Sequence, residues 1–215
     1  MLYGVKFNSV DTLTQWGLAM LADLEVEAPE KKTNYIEIPG ADGALDLSDY
    51  PQGRPTFKNR KISFNLFKRM EPDAADQMRT LLRQRYHGRR VKLILPTDAE
   101  HYFIGTAAIG KASGYPACMI PVTMTADPYK LKLQPTVVTE TVSGTATVTL
   151  ENEYMPVCPT IDTTGDVTLV FGSSSVSLSA GEGQRIPSLI LESGETEITV
   201  TGSATVTFTY QEGTL

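Results

Sequence analysis

The sequence predicts a mainly β protein of two domains: a sandwich-like N-terminal domain with one covering helix and a long arm, and a small antiparallel sandwich after it. Two observations lead to this prediction. Beyond about residue 135, Ser and Thr alternate with apolar residues at period two, as in half-buried strands. The charge also divides there: residues 1–130 carry 17 basic and 15 acidic side chains, and residues 131–215 carry two and ten. We therefore expect domains at 1–134 and 135–215.

In the N-terminal domain, strand-like runs alternate with one helix. The predicted strands are Trp16–Met20, Tyr35–Ile38, Ile62–Phe67, Val91–Leu95, Tyr102–Ile104 and Cys118–Thr125. Pro72 suits the first helical position and Gly88 suits the position after the end, so the helix is predicted over residues 72–87. We expect it to cover the sheet with an apolar stripe made of Ala74, Met78, Leu81, Leu82 and Tyr86.

Two segments lack regular patterning, Ala28–Asn34 and Pro39–Asn59. The second, called the arm, has the turn-forming pair Asp42-Gly43 near its start and then Leu45, Leu47 and Tyr50, which makes it too apolar for a solvated linker. Long irregular segments in compact domains are usually functional. We interpret the arm as a loop or extended hairpin that reaches a neighbouring subunit; an ordered lid on its own domain is the alternative.

The C-terminal sandwich is predicted from five alternating runs, which put apolar residues on one face and hydroxyls on the other. These runs are Thr145–Leu150, Val167–Phe171, Ser175–Ser179, Glu197–Thr201 and Thr205–Tyr210. We expect turns at the glycines between them, because glycine adopts the backbone conformations that reverse a strand. These positions are Gly144, Gly165-Asp166, Gly172, Gly181, Gly183, Gly194 and Gly202.

No pattern of catalytic, cofactor-binding or metal-ligating residues is present, so we predict neither an enzyme nor a cofactor. His87 and His101 lack zinc-type spacing; we interpret them as a helix-end partner and a surface residue of a hairpin. Gly181-Glu-Gly183 lies in a β-only region and is interpreted as a tight turn. Cys118 and Cys158 are predicted to be two buried thiols, with a disulfide or a reactive thiol as the alternatives. No apolar run is long enough to cross a bilayer, so membrane insertion is not expected.

Basic residues cluster, with 12 of the 19 lysines and arginines between Arg54 and Lys92. Such a cluster suits a phosphate backbone, an acidic neighbour in an assembly, or the lumen of a ring through which nucleic acid passes. Because the whole chain is acidic, at −6, we favour protein partners over sequence-specific nucleic-acid recognition. Candidate interface residues come from the arm and the start of this cluster: Pro39, Gly40, Asp42, Gly43, Leu45, Leu47, Tyr50, Arg54, Lys58 and Arg60.

The order of several motifs resembles the distal tail proteins of long-tailed, non-contractile bacteriophages and their prophages. The most specific is Ile38-Pro-Gly-Ala-Asp-Gly-Ala-Leu-Asp-Leu47. The others are Phe7–Asp11, Trp16–Leu18, Pro29–Thr33, Asn59-Arg60, His87-Gly88, Asp127–Tyr129, Asn152, Pro156–Ile161 and the ending Val206–Gly213 with Leu215. The resemblance implies a homohexameric ring of N-terminal domains in the virion, with galectin-like C-terminal sandwiches, which joins the tail tube to tail-tip or baseplate proteins.

Assembly would then take place in the cytoplasm of the host bacterium. A closed ring requires heterologous interfaces, in which one surface meets a different surface of the next copy. The chain has no inserted carbohydrate-binding module, which argues against direct glycan binding. Two alternatives remain open: a carbohydrate-binding adhesin, with Tyr154 and Tyr210 as the stacking candidates in the sandwich, and a tail-tube subunit.

Overall fold

The computed structural model describes residues 2–113 and 117–215, and the predicted mainly β fold is confirmed. The chain divides into two compact units, Met1–Lys130 and Leu131–Leu215. This division lies close to the domain boundary expected after residue 134.

The N-terminal unit contains two helices, α1 (Thr12–Trp16) and α2 (Pro72–Tyr86). Its strands are β1 (Lys6–Phe7), β2 (Val10–Asp11), β3 (Ala19–Met20), β4 (Glu25–Val26), β5 (Tyr35–Glu37), β6 (Ala44–Asp46), β7 (Arg60–Arg69), β8 (Arg90–Leu95), β9 (Asp98–Ile109) and β10 (Ala117–Ala126); β11 (Lys130–Lys132) begins at the unit boundary. The main sheet has the order β2-β1-β8-β9-β10-β7-β3, with β4 also paired to β7. Tyr3, just before β1, also forms an isolated antiparallel bridge with Met20 in β3.

Helix α2 closes the core of this unit, as predicted. Leu82 and Tyr86 are buried in the same cluster as Phe7, and the rings of Phe7 and Tyr86 stack 4.8 Å apart. One position of the predicted stripe is wrong: Ala75 is buried and Ala74 is exposed. The buried positions of α2 are spaced by seven residues, from Ala75 to Leu82, and then by four, to Tyr86. These spacings put the three side chains on one side of the helix.

The predicted strand Trp16–Met20 is wrong over its first half. Trp16 ends helix α1, and Gly17 stops that helix in the left-handed conformation at φ 67°. The Oδ1 atom of Asp11 accepts hydrogen bonds from the backbone N–H groups of Leu13 (2.9 Å) and Thr14 (3.0 Å). These capping bonds favour a helix at this point, and only Ala19–Met20 remains as strand β3.

The C-terminal unit is an antiparallel assembly around a second core. Its strands are β12 (Thr136–Asn152), β13 (Thr160–Thr163), β14 (Val167–Phe171), β15 (Ser174–Leu178), β16 (Gly181–Gln184), β17 (Gly194–Tyr210) and β18 (Gly213–Thr214). The order is β15-β14-β17-β13-β16, and β12 pairs with β17 along the full length of both strands. On its other side, β17 pairs first with β14 and then with β13.

Several glycine turns predicted in this unit are wrong. Gly144 and Gly202 face each other in the middle of β12 and β17, so the predicted strands 197–201 and 205–210 form one strand. Their φ angles are 99° and 153°. Thr136 and Val138, at one end of β12, line the same cavity as Thr149 and Glu151 at its other end, so the sheet bends at the glycine pair. Gly181 and Gly183 lie within β16, and Gly194 begins β17.

The two thiols differ in their surroundings, so the prediction of two buried thiols is only half right. Both cysteines are free. Cys118 is buried in the N-terminal core, where burial, and then the nearby carboxylate of Asp76, raises the pKa of its thiol. Cys158 is half-buried, and its Sγ donates to the carbonyl of Ile186 at 3.3 Å.

Candidate oligomer and partner interface

Strands β5 and β6 form a hairpin whose first strand precedes the arm and whose turn and second strand lie within it. Within the part of the chain that the structure describes, these two strands pair only with each other, and every residue from 35 to 46 is exposed. Gly40 and Gly43 make the connection in the left-handed region, at φ 84° and 77°, and open space surrounds both. The prediction of an extended hairpin around Asp42-Gly43 is therefore confirmed.

One face of this hairpin is apolar and uncovered. Ile36 lies directly opposite Leu45, and Ile38 follows on the same face because side chains alternate along a strand. These three side chains are 46%, 49% and 49% exposed, and Tyr50 just beyond the hairpin is 76% exposed. A two-stranded hairpin with an open apolar face is only marginally stable in water. Its surface therefore has the chemistry of a docking face.

Hydrogen bonds fix the base of the hairpin. The buried Ser48 hydroxyl accepts from the backbone N–H of Asn34 at 2.9 Å, and Leu47 N–H donates to the Asn34 carbonyl at 2.8 Å. Ser48 also donates to the Asp46 carboxylate through both its hydroxyl and its N–H, which lowers the pKa of Asp46. These bonds anchor the base of the hairpin to the segment around Asn34.

The two segments predicted to be irregular run alongside each other below this hairpin. Lys32 N–H donates to the Thr56 carbonyl at 2.8 Å, and Lys58 N–H donates to the Glu30 carbonyl at 2.7 Å. The Lys58 ammonium lies 3.0 Å from the Glu30 carboxylate. Lys31 pairs with Asp49 at 2.9 Å, and this hydrogen bond raises the pKa of Lys31. The arm therefore returns to the sheet along an ordered path.

The ten candidate interface residues do not all lie together. The hairpin and its connection contain Pro39, Gly40, Asp42, Gly43 and Leu45, all of them exposed; Leu47 is half-buried at the base, Tyr50 and Lys58 are exposed, and Arg54 is half-buried. Arg60 is the exception: it is 6% exposed, and its guanidinium lies over the Phe103 ring, 5.5 Å from the centroid. Arg60 begins β7 on the core-facing side, so it does not belong to the exposed surface.

Sequence reasoning missed three residues of this surface, Tyr35, Ile36 and Ile38. Their apolar pattern assigns them to a strand, and a strand expected near a core is interpreted as buried. Their position directly before the Pro-Gly turn, with the short apolar run 44–47 directly after it, is the signal that identifies them as the first strand of the projecting hairpin.

Most of the basic cluster is engaged within the N-terminal unit. Arg90 pairs with Asp127, and Arg79 lies 2.9 Å from Asp76. Lys68 donates to the Trp16 carbonyl at 2.6 Å. Further members contact aromatic rings or backbone carbonyls: Arg60 over Phe103, Arg85 over Trp16, Lys92 over Tyr102 and Arg83 on Ile109. Cations already held by internal partners are less available to an outside anion such as a phosphate backbone.

The histidines have structural partners. His87 caps the end of α2 and its Nδ1 accepts from Ile109 N–H at 3.0 Å. The prediction of a surface His101 is wrong: its side chain is mostly buried, with Nδ1 2.8 Å from Asp98, whose other oxygen lies 2.6 Å from Lys130. Among residues 2–113 and 117–215, no three metal-ligating side chains are placed to hold an ion, and neither helix is long and apolar enough to cross a bilayer.

A polar cavity of about 410 Å³ lies in the C-terminal unit, where the two ends of β12 approach each other. The buried Glu212 carboxylate accepts from Lys132 (2.9 Å), from Glu153 N–H (3.0 Å) and from the Thr136 hydroxyl. Burial raises the pKa of Glu212, but these hydrogen bonds outweigh it and the pKa is lowered. Tyr210 is buried, with its hydroxyl on the Glu151 carbonyl, so its ring is not available for stacking a sugar.

The two units have the fold of a phage adsorption-apparatus protein. The crystal structure of the SPP1 Dit protein (gp 19.1), described as a paradigm of the hub adsorption apparatus in phages that infect Gram-positive bacteria, is similar to this chain over 100% of both chains, with a TM-score of 0.67 and 16% sequence identity. No protein-family model and no curated protein matches the sequence. At this identity the similarity shows the fold alone, and the fold implied by the resemblance to distal tail proteins is confirmed.

Proposed function

We propose that this protein is a non-enzymatic structural hub of a phage tail tip. In this proposal its N-terminal units form a ring, expected to be a homohexamer, that joins the tail tube to the tail-tip or baseplate proteins used for adsorption. The ring assembles in the cytoplasm of the host bacterium and remains in the virion. The observation that carries the proposal is the similarity to a phage hub protein over the whole length of both chains.

The hairpin of β5 and β6 supports the assembly step. It presents Ile36, Ile38 and Leu45 on one uncovered face, and its base is fixed by the Ser48 hydrogen bonds. An exposed apolar surface gains free energy when docking removes it from water. We assign its docking partner as a different surface of the next copy, because a ring closes only through heterologous contacts.

Particle mass and shape test this proposal. Mass photometry and negative-stain electron microscopy of the purified chain should show one or two stacked rings of defined copy number. Long tubes would favour the tail-tube alternative instead. A strictly monomeric particle, both alone and with the tail-tube and tip proteins of the same phage, would contradict the hub. The adhesin alternative is not proposed, since the burial of Tyr210 removes one of its two stacking candidates and leaves Tyr154.

A further inference from the structure

Strand β12 is the longest free edge of the C-terminal unit. Within the described residues it pairs with β17 from Thr136 to Asn152 on one side and with no strand on the other. The other edge strands, β15 and β16, have only five and four residues. The backbone groups along a free edge can pair with another chain, and natural proteins usually keep such edges short, charged or covered.

The two halves of β12, separated by Gly144, differ in their protection. In the first half, Glu140 lies opposite the buried Val206, so it occupies a core-facing position, yet it is exposed. An inward-pointing charge on an edge strand blocks the addition of another strand. In the second half, residues 145–150 read Thr-Ala-Thr-Val-Thr-Leu, with no charge and no proline. That composition favours strand addition.

The second half is also held in place. Val148 and Leu150 are buried in the core of the unit, while Thr145, Thr147 and Thr149 are exposed on the outer face. An edge that is rigid, extended and uncharged offers its backbone hydrogen bonds at little entropic cost. This is the arrangement by which sheets accept an extended peptide.

The surroundings of this edge are acidic. Exposed Glu151 follows it directly, and Glu195 and Glu197 lie opposite on β17. Residues 131–215 as a whole carry two basic against ten acidic side chains. A second copy of this acidic unit would be repelled, whereas a strand with flanking lysines or arginines would be attracted.

We propose that residues 145–150 of β12 accept an extended segment of a different protein by β-strand addition. The segment adds one strand to the sheet beside β12. Its central residues are uncharged and rich in β-branched side chains, and basic residues flank them next to the glutamates. This surface belongs to the C-terminal unit and the hairpin to the N-terminal unit, so the proposal stands whether or not the chain forms a ring.

Three labelled synthetic peptides test this interaction by fluorescence anisotropy with the full-length protein. One alternates threonine and valine between flanking lysines, the second has glutamates in place of the lysines, and the third has a proline at the centre of the lysine peptide. The lysine peptide should bind at least about tenfold more tightly than the other two. Hydrogen exchange should then show protection of residues 145–150. Equal affinities, or no binding of the lysine peptide at millimolar concentration, would overturn the proposal.

Two variants locate the contact. Thr147→Lys puts a charge on the edge strand, and Thr199→Lys puts the same charge on the residue directly opposite in β17, inside the sheet. Thr147→Lys should lower the affinity for the lysine peptide about tenfold more than Thr199→Lys does. Similar losses in both variants would mean a purely electrostatic effect and overturn strand addition. A homodimer that Thr147→Lys dissolves would overturn the assignment to a different protein.

Discussion

Replacing Ile36 and Leu45 by Ser should weaken ring assembly without weakening the fold. Both side chains lie on the open face of the hairpin and are about half exposed, at 46% and 49%. Full burial of such a side chain contributes about 1.5–3 kcal/mol, so covering the exposed half contributes about 1 kcal/mol each. The double variant should therefore lose about 2 kcal/mol at each subunit contact, a factor of about 30 in its dissociation constant.

The assay is mass photometry over a dilution series, together with thermal unfolding. At dilutions where both are monomeric, the wild type and the double variant should melt at similar temperatures, because neither replaced side chain belongs to the core of its unit. Val170→Ser is a matched control: Val170 is 40% exposed but lies on β14 of the other unit. If the double variant assembles at wild-type concentrations, or if the control disrupts assembly equally, the hairpin is not the docking face.

Three further predictions concern stability. In urea unfolding, Gly202→Ala should lower the free energy of unfolding by about 2–5 kcal/mol, because a Cβ there would meet a backbone carbonyl at 2.7 Å. Gly144→Ala, with open space around the added Cβ, should lower it by about 1–2 kcal/mol. Glu212→Gln should remove part of the loss of thermal stability in acid. The ionised Glu212 stabilises the fold above the ordinary pKa of a glutamate and stops doing so as the pH falls through its lowered pKa, so an unchanged pH profile would refute this role. By chemical denaturation, Leu82→Ala should lower the free energy of unfolding by about 2–5 kcal/mol, because Leu82 is fully buried. Leu81→Ala should lower it clearly less, because Leu81 is half-buried; equal losses would contradict the placement of the helix.

The sequence is most informative where local chemistry and tertiary packing agree. Helix α2 has Pro72 at its first position and Gly88 just past its end, and the structure places its limits within one residue of the prediction. The hairpin at Asp42-Gly43 is likewise predictable from its turn residues. In both cases the signal is contained within a few neighbouring residues.

The wrong predictions concern positions whose structure is determined by residues far away in the sequence. Gly144 and Gly202 look like turns, and only their pairing across more than fifty intervening residues makes them the bend of one sheet. In the sequence, Arg60 looks like part of a basic surface. In the alternating pattern of β7 it falls on the buried side, where burial lowers the pKa of its guanidinium. Residues 145–150 are correctly predicted as a strand, but a single sequence does not show which side of a strand lacks a neighbour.

The bend at Gly144 and Gly202 gives the two halves of the C-terminal sheet, one containing β14 and the other β13, the same two long strands. A slip of one residue by β12 would turn its inward side chains outward in both halves at once, from Val142 to Leu150. Neither half can therefore misalign alone, and we expect this unit to unfold as one cooperative block. The same arrangement requires Thr136 to find Tyr210 before the sheet is complete, so we expect this unit to fold slowly.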